Sequence, residues 1–81
     1  MFYPAFLKIA GKKCVVIGGG AVAARKAKTL LDAGAEVVIV APELSPEMRK
    51  IAGEQAERIK SVARGYRKTD LRGAFIAIAA T

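Results

Sequence analysis

An 81-residue chain that is 53% hydrophobic, with a formal net charge of +7, has enough apolar content for one compact unit at most, and shows no compositional sign of disorder. One cysteine and no histidine exclude a disulfide framework and leave no metal site to expect, which fits a reducing cytoplasm. No run approaches the ~18 consecutive apolar residues of a membrane span. Met1-Phe2-Tyr3-Pro4 lacks the basic start and apolar stretch of a signal peptide, so a soluble, cytoplasmic protein with no membrane partner is expected.

Phe6-Leu7-Lys8-Ile9 reads as a short extended lead-in ending at the turn Gly11-Lys12. Lys13 to Ile17 is the first strand, and its unbroken apolar run Cys14-Val15-Val16-Ile17 suits a parallel strand covered on both faces, with Cys14 a buried thiol. Three glycines follow, Gly18-Gly19-Gly20, and then a helix from about Ala21 to Ala33. Ala23, Ala27, Leu30, Leu31 and Gly34 recur at helical spacing, while Arg25, Lys28, Thr29 and Asp32 mark the wet face. Gly34 is placed to end this helix through a left-handed residue.

Val37-Val38-Ile39-Val40 is a second buried strand. Ser45-Pro46-Glu47 opens a second helix with a cap, a proline in the first turn and an acid near the positive end of the dipole. Met48, Ile51, Ala52 and Gln55 line one face of it, and Gly53 weakens it by about 1 kcal/mol relative to alanine. A third strand is expected near Ile59 to Ala63, a short turn over Asp70-Leu71-Arg72-Gly73, and a final buried strand over Ala74-Phe75-Ile76-Ala77-Ile78-Ala79.

This alternation defines an α/β protein. The expected architecture is a Rossmann-like parallel sheet of about four strands with about two helices, close to one mononucleotide-binding half of a doubly wound dinucleotide-binding fold, truncated at Thr81. In that order the ligand cleft lies above the carboxyl ends of the first and fourth strands, that is, above Gly18 and Thr81.

The glycines carry the chemistry. In Gly18-x-Gly20-x-x-Ala23, Gly18 permits a tight turn, Gly20 lets a pyrophosphate approach the backbone, and Ala23 keeps the helix close to the first strand. Amides around Ala21 and Val22, with the helix dipole behind them, would hold the phosphates. The motif follows a strand, opens a helix and precedes a second strand, the context it requires. The plainer alternative is that the glycines only pack helix against strand. Arg25 and Lys26 oppose the dipole early in the helix, a cost easier to understand beside a bound anion, although two solvated charges explain them equally well.

An acid that accepts the ribose hydroxyls normally ends the second strand. Here that place holds Ala41-Pro42, with Glu43 slightly later. Glu43 either reaches the ribose or simply precedes the next helix. No arginine follows the strand to pair with a 2′-phosphate, so NAD is favoured over NADP. No catalytic constellation is visible. Tyr66 and Asp70 are the proton-transfer groups nearest the cleft side, and both read more simply as ordinary loop residues.

The basic excess is uneven, since Arg58, Lys60, Arg64, Arg67, Lys68 and Arg72 face only Asp70 in the interval they span. A nucleic acid, a polycarboxylate substrate and a solvated rim are the three readings. No basic helix with interleaved aromatics and no known nucleic-acid motif is present.

Taken together, Tyr3-Pro4-Ala5-Phe6-Leu7, Gly11-Lys12-Lys13, and Gly18-Gly19-Gly20-Ala21-Val22-Ala23-Ala24-Arg25-Lys26 resemble the start of the siroheme synthase family, in particular its precorrin-2 dehydrogenase domain. The pattern continues through Leu30-Leu31-Asp32-Ala33-Gly34-Ala35 and Val40-Ala41-Pro42-Glu43-Leu44, and closes on Ala77-Ile78-Ala79-Ala80-Thr81. The resemblance implies NAD-dependent oxidation of precorrin-2 to sirohydrochlorin on the way to siroheme. Some relatives also insert ferrous iron, and some are fused to a methyltransferase.

The substrate it implies is a tetrapyrrole polycarboxylate, which would give the basic excess a reason and leave no role for nucleic acid. The implied cofactor contacts fall on Gly18, Gly20, Ala21 and Val22 in the loop and on Pro42 and Glu43 after the second strand. One departure is Ala21, where several relatives carry an acid. The family's aspartate for dehydrogenation and chelation follows the final Ala-Thr, just past Thr81, as do the helices that form a homodimer and cover the substrate. Residues 1–81 are thus expected to be the NAD-binding front part of a longer enzyme, inactive alone, with no catalytic or metal-binding residue of its own. The rivals are a regulatory module that binds NAD without turnover and, more weakly, a basic domain that binds RNA or DNA.

Overall fold

The structure, a computed structural model, describes residues 9–80. Most of the expected lead-in, and Thr81, lie outside the described residues. The elements run β1 (Lys13–Ile17), α1 (Ala21–Asp32), β2 (Glu36–Val40), α2 (Pro46–Glu54), β3 (Ile59–Val62), a 3-10 turn (Lys68–Leu71) and β4 (Ile76–Ala79). The strands pair in parallel in the order β3-β2-β1-β4. The α/β, Rossmann-like reading therefore holds, and β1 is central as expected.

The register explains the core. A side-chain period of two places Cys14, Val37, Ile59 and Ile76 in one row, and Val16, Ile39 and Ile78 in the next row of the same face. That face packs with Ala23, Ala27, Leu30 and Leu31 of α1 and Met48 of α2 in a single cluster, so both helices cover one side of the sheet. Cys14 is fully buried, and that burial pushes its thiol pKa up, partly offset by a backbone hydrogen bond from Ile76.

Local signals set the helix ends. Gly34 adopts φ +89° and closes α1: its amide donates to the Leu31 carbonyl at 2.9 Å and the Ala35 amide to the Leu30 carbonyl at 3.1 Å, a Schellman motif. The Ser45 side chain caps α2 by accepting from the Met48 amide at 3.2 Å, and Pro46 occupies the first turn. The helix stops at Glu54, directly after the weakening Gly53.

Two expectations need correction. The last strand is shorter than 74–79 and is not fully buried: Ile76 and Ile78 are half-buried, whereas Ala77 and Ala79 are exposed. Among the described residues it pairs with β1 alone, at the edge of the sheet, and both helices lie on the isoleucine side. On the alanine side Val15, in register with Ala77, is buried, so that side is bare along β4 only. The turn before it also starts earlier than Asp70, because the Arg67 amide donates to Asp70 Oδ2 at 2.7 Å and winds a 3-10 turn from Lys68.

Candidate functional site

The loop after β1 is shaped by close approach. Gly18 has φ +131°, and a Cβ there would stand 2.6 Å from the Ala80 carbonyl oxygen. Its amide donates to the Val40 carbonyl at 2.9 Å, and the Ala80 amide donates to Ile17 at 2.9 Å, so the loop continues both neighbouring ladders. At Gly19 a Cβ would collide with the carbonyl oxygen of Glu43 and lie 3.0 Å from the Ala41 Cβ. At Gly20 a Cβ would meet nothing within 4 Å. The three glycines thus divide their work: two let backbones touch, and the third leaves open space.

That space is a cleft of about 870 Å³, within the range of roughly 300–1,000 Å³ usual for small-molecule sites. Gly18, Gly20, Ala21 and Val22 line it from the glycine loop and α1, and Pro42 and Glu43 from the end of β2. All six residues expected at the site from the sequence come together there. The cleft sits between the ends of β1 and β2 more than between β1 and β4, whose side contributes Ala80.

The α1 N-terminus opens into this cleft without an internal anion. Its cap residue is Gly20, no side chain caps it, and no acid stands in its first turn. The first amides of a helix have no intrahelical acceptor, and the dipole adds positive potential there. Free donors, positive potential and an open approach at Gly20 are what a pyrophosphate requires, so the residues present fit a dinucleotide. Glu43 is exposed at the cleft edge.

Three lining residues lack the role assigned from sequence. Gly19, given none, lets β2's loop approach. Ser45, read only as a cap, also ties the two walls together, because its amide donates to the Gly19 carbonyl at 2.7 Å. Tyr66 lines the cleft, and its signal was an aromatic just past β3, at the carboxyl end of the sheet. Asp70 is absent from the lining. Its carboxylate grips the Arg64 guanidinium through both nitrogens, with Nη1 at 2.8 Å, and that hydrogen bonding holds its pKa down to about 2. It has no proton to offer at neutral pH.

The basic rim is smaller than the sequence suggests. Arg64 is taken up by Asp70, and Arg58 donates from Nη1 to the Leu31 carbonyl at 2.9 Å and from Nη2 to Gln55 Oε1 at 3.0 Å. Lys60, Arg67, Lys68 and Arg72 remain exposed. Among the described residues, no group of three or more His, Cys, Asp or Glu could hold a metal ion. No helix among them is long and apolar enough to cross a membrane.

A parallel sheet with a glycine turn, an uncapped helix N-terminus and a cleft at the carboxyl ends of the strands defines a dinucleotide-binding domain. A family model described as NAD(P)-binding matches residues 5–81, and the chain belongs to that family. It is 46% identical over 80 residues to a siroheme synthase of Ectopseudomonas mendocina, covering 99% of this chain and 16% of that protein. A siroheme synthase of Chromobacterium violaceum is 45% identical over 80 residues, covering 99% and 17%. The fold matches a solved structure of SirC, a precorrin-2 dehydrogenase, with TM-score 0.81 and 30% identity, over 99% of this chain and 39% of that one. The chain thus spans about a sixth of the length of the siroheme synthases it matches.

Proposed function

We propose that this chain is the NAD-binding part of a precorrin-2 dehydrogenase, a protein that oxidises precorrin-2 to sirohydrochlorin in siroheme biosynthesis. The observation that carries the reading is the extent of the likeness: it runs through the whole α/β unit, from β1 to β4, rather than stopping at the glycines. The regulatory alternative, binding without turnover, finds no support among the relatives.

In this reading Gly18 sets the turn and Gly20 admits the pyrophosphate. The amides of Ala21 and Val22 donate to it, with the α1 dipole adding attraction. Pro42 and Glu43 receive the adenosine ribose, and the Glu43 carboxylate disfavours a 2′-phosphate, hence NAD over NADP. Bound there, the nicotinamide supplies the two-electron redox chemistry, while the protein supplies orientation and electrostatics. The exposed Lys60, Arg67, Lys68 and Arg72 offer positive potential to a tetrapyrrole polycarboxylate. Residues 1–81 form one domain, and the acid–base group and the dimer contacts lie outside them. The working protein is a cytoplasmic homodimer.

The deciding experiment incubates the gene product at its natural length with precorrin-2 and NAD, without oxygen. NADH and the sirohydrochlorin spectrum are followed together. Stoichiometric appearance of both is expected. NAD binding with no turnover would sink the assignment and favour the sensor module.

A further inference from the structure

We propose that Tyr66 is the aromatic wall on which the adenine of the dinucleotide stacks. The inference rests on the cofactor reading above and adds a residue to it. Tyr66 lies between β3 and the 3-10 turn, is 45% exposed, and lines the same cleft as Pro42 and Glu43. The pyrophosphate belongs to Gly20 and the α1 N-terminus, and the adenosine ribose to the end of β2. A ring in the wall of the same cleft, carried by the loop after β3 next to β2, therefore meets the group that this ribose carries outward, which is the base.

The loop that carries Tyr66 is braced on both sides of it. Arg64 donates to the Gly65 carbonyl at 3.0 Å and to Asp70 Oδ2 at 2.8 Å, and the Arg67 amide donates to the same carboxylate oxygen at 2.7 Å. The residues flanking Tyr66 are thus tied to Asp70, so a ligand need not spend much binding energy ordering the ring. An exposed tyrosine held in place over a nucleotide cleft presents a flat π face, which stacks on any base and needs no hydrogen-bond readout.

The test titrates NAD and AMP into the gene product at its natural length, as wild type and as the Tyr66→Phe, Tyr66→Leu and Tyr66→Ala variants, with proton NMR of the nucleotides. Tyr66→Phe keeps affinity within about twofold, whereas Tyr66→Leu and Tyr66→Ala weaken both ligands by about tenfold, the scale of one lost base–aromatic stack. In the wild type and Tyr66→Phe the adenine H2 and H8 signals move upfield on binding, and in Tyr66→Leu they do not. Tyr66→Leu keeps an apolar side chain of similar bulk, so a loss there is not a loss of fold. Wild-type affinity and the same upfield adenine shifts in Tyr66→Leu as in the wild type overturn the proposal, as do ring-current shifts on the nicotinamide protons instead. A wild-type chain that binds neither NAD nor AMP overturns the cofactor reading itself.

Discussion

The Ser45 amide donates to the Gly19 carbonyl at 2.7 Å, and this bond helps join the two walls of the nucleotide cleft. Ser45 also caps α2 through its side chain, so one residue links the start of α2 to the glycine turn. The cleft has its shape before any ligand arrives, because the backbone that forms one wall is hydrogen-bonded to the backbone that forms the other.

The two inner glycines should therefore fail differently. Gly19→Ala drives a Cβ into the Glu43 carbonyl, and overpacking of this kind destabilises by about 1–3 kcal/mol. Gly20→Ala meets no protein atom within 4 Å and sits at φ −87°, so the gain of roughly 0.4–1 kcal/mol from a stiffer unfolded chain is offset by the poorer helix cap, and stability should stay within about 1 kcal/mol of the wild type. Its methyl group would nevertheless stand in the path of a pyrophosphate bound as proposed. Thermal melts paired with NAD titrations should show Gly19→Ala losing melting temperature, and Gly20→Ala losing affinity alone.

Arg58 should matter to the fold rather than to the ligand. Its bond to the Leu31 carbonyl places a cation at the negative end of α1. Losing a half-buried charge-assisted hydrogen bond costs about 1.5–3 kcal/mol. Urea unfolding of Arg58→Ala should show a loss on that scale, with NAD affinity unchanged within error.

Asp70 gives the pH dependence a sign. Its pKa falls from 3.8 to about 2 in the folded chain, chiefly through hydrogen bonding to Arg64. A depressed carboxyl stabilises the fold above its unfolded pKa and loses that contribution as pH falls through the folded value. The wild type should melt above Asp70→Asn at neutral pH, and the gap should close between about pH 4 and pH 2. A gap that stays constant across that window would exclude the pair as its source.

Glu43 should set the preference between NAD and NADP. A phosphate bearing about two negative charges, placed about 6 Å from a carboxylate in water, is repelled by roughly 1.4 kcal/mol in total, or roughly tenfold. Glu43→Gln should shift the affinity ratio toward NADP by about that factor at low ionic strength, and by less in added salt. Competition titrations with the two nucleotides measure the ratio directly.

Much of the site was legible because its signals are local. A glycine that must take φ +89° after a helix, a serine two residues before an acid at a helix start, and apolar β-branched runs all act through neighbours a few residues away. The six residues expected to contact the cofactor, which line the cleft, were picked out the same way, through the spacing of glycines after a strand and the resemblance that the longer pattern carries. The half-exposed β4 was missed because Ala77 and Ala79 are apolar whether covered or not, and only their place on an edge strand, on the face away from both helices, leaves them bare. The role of Arg58 was missed because its acceptor, Leu31, lies 27 residues away.

The order of strands and helices, the glycine turn and the helix ends were determined by the sequence itself, since hydrophobic period, capping and backbone freedom operate within a turn or two of chain. Tertiary structure alone decided that Gly19 touches Glu43, that Tyr66 lines the same cleft as Pro42, and that Arg64 is taken out of the basic rim by Asp70. Those contacts exist only once the crossovers have stacked β1, β2 and β3 in parallel, which brings the loops at their carboxyl ends together at one edge of the sheet.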